Sequence, residues 1–276
     1  MLEIPEAIVI SRQLNQTIKG KCIRKVVAAA SPHKFTWYYE DPAEYNALLR
    51  GRTIENAYPC SGRVEISTDS AATLNFGDGA NLRYYESADE APEKHQLLII
   101  FDDNSALVST VTMYACVSAF PAGAMDDNFY YKVAKDAISP LSDEFNYEYF
   151  SSLLTPKTLK LSAKAFLATE QRIPGLGNGV LHDILLNAKI HPKRKMNTLS
   201  DKQLRELFDC VKSTLAAMVN GGGRDTERDL FGNYGRYKTK LSKNNKQLSC
   251  PNCGHAVIKA NYLGGSIYFC TQCQIQ

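Results

Sequence analysis

Apolar and polar residues alternate over short stretches through the first half of the chain, a pattern typical of β-strands. A short amphipathic helix is predicted before them, over residues 1–20, with Ile8, Leu14 and Ile18 on its apolar side. Many short strands at this spacing predict a β-sandwich or barrel. The expected strands are residues 22–29, 53–57, 64–68, 72–76, 82–85, 96–101 and 106–111.

Turn residues separate these strands. Asp78-Gly79 and residues 102–104 are typical of hairpin turns, since Asp, Asn and Gly accept a positive φ. Residues 41–49 are expected to form a short helix between strands.

Helical spacing takes over in the second half. Residues 139–143 mark a linker, and helices are predicted over residues 128–137, 147–154, 161–170 and 199–219. Ser200 is the expected N-cap of the long last helix, and Gly221 to Gly223 end it.

Between two of these helices lies a tight glycine turn. Pro174, Gly175, Gly177 and Asn178 fall within five residues, and helical spacing resumes after them until Pro192. Backbone N–H groups at such a helix start, with the positive end of the helix dipole, suit an anion such as a phosphate. An ordinary packing corner between two helices gives the same pattern.

Charge is divided unevenly along the chain. Residues 1–150 carry 13 Lys and Arg against 21 Asp and Glu (net −8), and residues 151–276 carry 19 against 8 (net +11). The basic half indicates a polyanionic partner, although a solvated basic surface has the same composition. Residues 224–246 combine glycines with basic and aromatic side chains. This composition suits a mobile loop that closes over nucleic acid, and it also suits a linker to the tail.

The last thirty residues contain two C-x-x-C pairs. Cys250, Cys253, Cys270 and Cys273 have the spacing of a tetrahedral structural zinc site, and the strands expected between the pairs make it a zinc ribbon. A fragment under ~40 residues builds no adequate core alone, so the metal is expected to supply its folding energy.

Cysteine usage also suggests a compartment. The other four cysteines are isolated, residues 2–10 carry Glu3 and Glu6 without a basic region, and no apolar run approaches ~20 residues. We therefore expect a reducing, cytoplasmic location without a membrane span.

Together, the β-rich start, the PGLGN…IHP turn between helices and the four-cysteine ribbon resemble the formamidopyrimidine-DNA glycosylase and endonuclease VIII family of base-excision repair enzymes. The resemblance is close from residue 139 onward and loose from about 20 to 135. It implies an α+β multidomain fold: an N-terminal β-sandwich domain (1–137), a helix–two-turns–helix domain with a flexible loop (138–246) and a zinc ribbon (247–276).

The family's chemistry begins at its amino terminus, Met-Pro-Glu, where the proline amine attacks C1′ after Met is removed. Here Met1 is followed by Leu2, so the resemblance places Leu2 on the nucleophile and Glu3 on the catalytic glutamate. A primary amine at Met1, or at Leu2 if Met1 is removed, is the alternative nucleophile for a Schiff base. Glu6 falls on a second acidic position near the site. Acidic residues at a helix N-terminus are also common for structural reasons.

The resemblance also implies DNA contacts. Asn178, with Gly177, matches a phosphate contact. The family lysine beside the lesion phosphate is either replaced by Arg63 or lost to Gly62. The phosphate-gripping ribbon arginine is Gly265 here, which leaves Lys259 as the nearest ribbon cation. Arg224, Arg228 and Arg236 are further residues expected to contact DNA. Met113 and Tyr114 are expected either to contact DNA or to pack in the core.

Two functions fit this combination. The first is a monomeric DNA glycosylase that binds damaged double-stranded DNA near the nucleoid, flips out the lesion and cleaves the N-glycosidic bond, with lyase activity left open by Leu2. The second is a non-catalytic or altered binder of damaged or abasic DNA on the same fold. A zinc-ribbon module without DNA fits the basic half less well.

Overall fold

The computed structural model describes residues 2–69, 72–121, 124, 129–243 and 249–275. The chain divides into two compact units, Met1–Lys135 with Glu227–Gly235, and Asp136–Thr226 with Arg236–Gln276. The first division lies close to the predicted boundary at 137. The ribbon belongs to the second unit, and residues 227–235 of the expected loop belong to the first. Three functional domains remain a prediction.

The first unit is β-rich with a leading helix, as predicted. Its helices are α1 (Ile4–Thr17), α2 (Tyr45–Leu49) and, running up to the division, α3 (Phe129–Asp136). Its strands are β1 (Ile23–Ala28), β2 (Thr36–Tyr38), β3 (Ile54–Cys60), β4 (Arg63–Thr68), β5 (Ala72–Tyr85), β6 (Leu97–Phe101) and β7 (Ala106–Pro121). The short β2 was not predicted.

All seven strands form one hydrogen-bonded sheet in the order β1-β6-β7-β5-β4-β3, with β2 parallel to β7. The long strands β5 and β7 take part in strand pairing at both ends of this sheet. One end of β5 pairs with β4, and the β7 residues opposite its other end also pair with β6. Two long strands shared in this way build the β-sandwich without separate sheets.

The predicted hairpin turn at Asp78-Gly79 is wrong. These residues lie inside β5, where the register with β7 shifts between Asp78 and Ala80. Asp78 takes a φ of +57°, which Asp tolerates. The same positive φ that is typical of a hairpin turn is used here in a β-bulge. A Cβ on Gly79 would lie 2.4 Å from the carbonyl oxygen of Tyr114, so only glycine fits there.

The core of this unit lies between α1, α2 and the sheet, as the fully buried Leu14, Leu49 and Phe76 show. Leu230, from the separate segment 227–235, also belongs to this core. Its carbonyl accepts a hydrogen bond from the Tyr84 N–H, and the Gln13 side chain binds the Leu230 N–H and the Asp229 carboxylate. The segment is therefore packed into the first unit rather than extended as a free loop.

The second unit is helical apart from the ribbon. Its helices are α4 (Tyr147–Ser152), α5 (Ala163–Ala168), α6 (Asn178–Asn187) and α7 (Asp201–Asn220). Ser200 caps α7 as predicted, in a reciprocal capping box with Gln203. The predicted glycine turn joins α5 to α6, with Gly175 at a φ of +79°.

The ribbon consists of β8 (Val257–Tyr262) and β9 (Gly265–Cys270), which pair antiparallel. Leu263 and Gly264 join them at φ values of +49° and +71°, as a tight type I′ hairpin needs. Among the described residues, no helix combines the length and hydropathy needed to cross a membrane.

Candidate functional site

Two acidic side chains lie at the start of α1. Glu3 is its N-cap residue with an extended backbone, and Glu6 is in the first turn. Their exposed fractions are only 4% and 5%. The positive end of the helix dipole favours carboxylates here. The sequence thus places both predicted catalytic acids in one buried region.

Leu2 precedes them and is fixed in place. Its backbone N–H donates to the carbonyl oxygen of Asp78 at 2.8 Å, and its side chain belongs to the hydrophobic core. Met1 lies outside the described residues. If any residue precedes Leu2, its nitrogen is an amide whose hydrogen already donates to the Asp78 carbonyl oxygen. An amide nitrogen is not a nucleophile.

Arg63 lies beside the same bulge. It is 5% exposed, its Nη2 is 3.9 Å from Asp78 Oδ2, and its Nη1 has no hydrogen-bond partner among the described residues. A Cβ on Gly77 would lie 2.6 Å from that Nη1, so this glycine makes room for the guanidinium. Burial raises the pKa of Asp78, and the charge of Arg63 opposes the rise. A buried cation with a spare donor suits an anionic ligand.

A pocket opens next to the start of α1. Its lining includes Leu2, Glu6, Asn81, Arg83, Glu227 and Arg228. Burial lowers the pKa of Arg83, and the positive charge of Arg228 lowers it further. Sequence reasoning missed Asn81, Arg83 and Glu227, because nothing local shows that segment 227–235 packs against β5.

In the second unit, the predicted phosphate contacts lie together. Gly177 is the N-cap and Asn178 the first residue of α6. A Cβ on Gly265 would lie 2.6 Å from Asn178 Nδ2 and 3.6 Å from Lys164 Nζ. The Lys164 ammonium donates to the carbonyl oxygen of Tyr262 at 2.6 Å. Thus Lys164, on α5, lies close to Gly265, where the resemblance implies the family's arginine, while Lys259 is an exposed residue of β8.

The remaining predicted cations differ in exposure. Arg228 and Arg236 are exposed, and the Arg228 guanidinium lies 4.8 Å from the ring centroid of Tyr234. Arg224 is almost completely buried, which disfavours its predicted contact with DNA. Met113 and Tyr114 are both exposed, so the core-packing alternative for them is wrong.

The four ribbon cysteines converge on one point. Their sulfur atoms all lie within 4.8 Å of one another, with 3.7 Å between Cys250 and Cys273 and 3.5 Å between Cys253 and Cys270. Zn–S bonds of about 2.3 Å in a tetrahedron separate the sulfurs by roughly 3.8 Å. The four thiols therefore fit a closed structural zinc site.

Comparison with known proteins gives the same assignment. Residues 137–229 match the family model of the formamidopyrimidine-DNA glycosylase H2TH domain. The chain is 28% identical over 283 residues to the formamidopyrimidine-DNA glycosylase of Wolbachia sp. subsp. Brugia malayi (strain TRS), covering 99% of this chain and 100% of the relative. It is 25% identical over 279 residues to that of Brevibacillus brevis, covering 99% of each. The chain therefore contains an H2TH domain and is similar over its full length to formamidopyrimidine-DNA glycosylases.

Solved structures of formamidopyrimidine-DNA glycosylases share the fold of this chain. The MutM (Fpg) protein of Thermus thermophilus superposes with a TM-score of 0.80 at 21% identity, covering 99% of this chain and 98% of that one. The Lactococcus lactis Fpg, in complex with DNA that contains an abasic site, gives 0.82 at 21% identity, covering 99% and 100%. The family fold thus extends over the first unit, where the sequence resemblance is loose.

Proposed function

We propose that this protein is a base-excision repair DNA glycosylase that acts on damaged double-stranded DNA as a monomer in the cytoplasm. The observation that carries the proposal is the burial of Glu3 and Glu6 at the start of α1, beside a pocket and a buried arginine. The similarity to formamidopyrimidine-DNA glycosylases and the basic second half support it. A base must leave the stack before its glycosidic bond can be reached, and the pocket lined by Leu2 and Glu6 is where we place it.

For the chemical step we infer hydrolysis. Glu3 accepts a proton from a water molecule, the water oxygen bonds to C1′, and the N-glycosidic bond breaks as the base leaves with its electron pair and takes up a proton. A positioned general base of this kind contributes about 10²- to 10⁴-fold in rate. Because the nitrogen of Leu2 is a hydrogen-bonded amide, we expect no Schiff base at that residue and no lyase step through it.

DNA is held, in this proposal, by backbone contacts in both units. The backbone N–H of Gly177 and the side chain of Asn178 bind one phosphate, and Arg63 binds another. Arg228, Arg236 and Lys259 are exposed cations that add contacts sensitive to salt. Zinc, held by the four cysteines, would keep the ribbon folded and take no part in the reaction.

The alternative is a binder of damaged or abasic DNA without chemistry, and Leu2 in place of proline is the observation that favours it. Duplexes with oxidised, ring-opened and abasic nucleotides, assayed for both binding and base release, separate the two. Release from one substrate supports the glycosylase. Binding to several lesions with release from none would establish the binder.

A further inference from the structure

The loop that lines one side of the pocket is held in place by contacts of the chain itself. Leu230 is fully buried in the core, and its carbonyl oxygen accepts from the Tyr84 N–H at 2.9 Å. The loop also closes on itself, since the Gly235 N–H donates to the Glu227 carbonyl oxygen at 3.3 Å. Compact loops whose ends meet in this way are packed by their own residues. We call Glu227–Gly235 the anchored loop.

One side chain joins the anchored loop to the helix of the candidate catalytic acids. Gln13, on α1, donates from its Nε2 to Asp229 Oδ2 at 2.9 Å and accepts from the Leu230 N–H at 3.0 Å. Asp229 Oδ1 in turn accepts from the N–H groups of Phe231 at 3.0 Å and Asn233 at 2.8 Å. Both ends of the Gln13 amide therefore hold the loop, and truncation of this side chain removes both bonds.

The anchored loop supplies one wall of the pocket. The polar lining comes from three elements: Glu6 from α1, Asn81 and Arg83 from β5, and Glu227 and Arg228 from the anchored loop. Two of these elements, α1 and the anchored loop, are the ones that Gln13 joins. The position of the loop side chains relative to Glu6 therefore depends on Gln13.

Charge repulsion at the pocket is what this anchor has to resist. Burial lowers the pKa of Arg83 and the positive charge of Arg228 lowers it further, while the carboxylates of Asp229 and Glu227 oppose the change. Two guanidinium groups thus lie close enough to repel each other. The Arg228 guanidinium is also oriented within the loop, 4.8 Å from the ring centroid of Tyr234. Cationic donors held in fixed positions are complementary to the carbonyl oxygens of an extruded base.

We propose that Gln13 is a positioning residue for base recognition: it fixes the anchored loop, so that Glu227 and Arg228 meet the extruded base in a pocket that is already formed. This inference rests on the proposed glycosylase function and extends it to how the base is selected. A loop that became ordered only around the base would lower the apparent affinity by the fraction of molecules in which it is ordered. A fixed wall avoids that loss and selects bases by their fit.

Hydrogen exchange in the full-length protein without DNA tests the anchor itself. The Leu230 N–H is buried and donates to Gln13, so its peptide is expected to exchange slowly in the wild type and at least about tenfold faster in Gln13→Ala. Gln16→Ala is the matched control, because Gln16 is an exposed glutamine of the same helix. The same exchange rate for this peptide in the wild type and in Gln13→Ala would overturn the inference.

Base release separates recognition of the base from contacts with the DNA backbone. On a duplex whose damaged base the wild type releases, Gln13→Ala is expected to lower the single-turnover rate at saturating protein by about tenfold. Its affinity for a duplex with a tetrahydrofuran abasic-site analogue, which presents no base to the pocket, should stay within about twofold of the wild type. Wild-type release by Gln13→Ala, or equal losses on the two duplexes, would overturn the inference and leave the proposed function intact. A wild type that releases no oxidised or ring-opened base would remove both.

A reciprocal exchange of side chains distinguishes the anchor from a general loss of stability. Gln13→Glu alone sets a carboxylate against that of Asp229, and Asp229→Asn alone sets an amide donor against Nε2 of Gln13. Combined, the two substitutions reverse the bond, since the new amide donates to the new carboxylate, which still accepts from the Leu230 N–H. We expect each single variant to release the base about tenfold more slowly and the double variant to recover to within about threefold of the wild type. No recovery in a double variant with native circular dichroism would contradict the anchor.

Discussion

The backbone N–H of Leu2 donates to the carbonyl oxygen of Asp78 at 2.8 Å, inside the bulge of β5. This hydrogen bond joins the chain start to the sheet, and Glu3 follows directly. Behind a retained Met1, a proline at position 2 would be a tertiary amide with no N–H to donate. Leu2 therefore makes a contact that a proline preceded by Met1 could not make.

Borohydride trapping tests the consequence of this contact. Incubation of the wild-type protein with abasic DNA and borohydride is expected to give no covalent adduct, because the nitrogen of Leu2 is an amide. Denaturing gels measure the adduct, and intact mass is expected to show that Met1 is retained. An adduct mapped by peptide mass spectrometry to the amine of Met1 would contradict this expectation.

The zinc site predicts a difference between two cysteine variants. Cys253→Ser removes one of four converging ligands, whereas Cys210, on α7, lies outside the cluster. We expect one zinc per chain in the wild type and in Cys210→Ser, and loss of bound zinc with lower ribbon stability in Cys253→Ser. Metal content by elemental mass spectrometry measures this. Zinc-free wild type, or full zinc in Cys253→Ser, would count against a structural site.

Asp183 makes the stability of the second unit depend on pH. This buried carboxylate of α6 accepts hydrogen bonds from the N–H groups of Lys240 and Leu241 and from the Tyr237 hydroxyl. Burial raises its pKa to about 6, from an ordinary value of 3.8. The folded state therefore binds more protons than the unfolded chain between about pH 4 and 6, so this group lowers the free energy of unfolding as pH rises through that window.

Asp183→Asn removes this titration. Between pH 4 and 6.5 the wild type is expected to lose up to about 3 kcal/mol more of its free energy of unfolding than the variant. Denaturant unfolding at several pH values measures the difference, in which carboxyl groups common to both proteins cancel. Parallel pH profiles would show that Asp183 is not titrating in this range.

Arg63 predicts a change in salt dependence. Replacing its buried guanidinium by an amide in Arg63→Gln should weaken binding to abasic-analogue DNA by about tenfold, as expected for loss of a charge-assisted hydrogen bond. The slope of log affinity against log salt should fall by about one. Arg52→Gln, at an exposed arginine of the same unit, is the control. Identical slopes for the two variants would exclude a phosphate contact by Arg63.

Short sequence patterns were sufficient to predict much of the structure of the second unit. The cap at Ser200, the glycine turn at Gly175 and the four-cysteine spacing each depend on a few adjacent residues. The structure confirms these three features. The bounds of the helices predicted over residues 147–154, 161–170 and 199–219 shifted by up to two residues at each end, as frayed ends do.

Long-range packing accounts for what the sequence did not reveal. A bulge and a hairpin turn both need a positive φ, so Asp78-Gly79 is ambiguous until β7 is paired with β5. Arg83 and Glu227 meet in the pocket only because Leu230 is buried in the first unit. Lys164 reaches the space above Gly265 from a helix about a hundred residues away, which no local pattern indicates.

The rate of base release by Glu3→Gln shows whether the Glu3 carboxylate acts as the general base. Single-turnover reactions on a lesion that the wild type excises compare Glu3→Gln with Glu55→Gln, a matched change at an exposed glutamate of β3. We expect at least about a hundredfold slower base release for Glu3→Gln, unchanged DNA affinity, and a wild-type rate for Glu55→Gln. Base release by Glu3→Gln at the wild-type rate would contradict the general-base role.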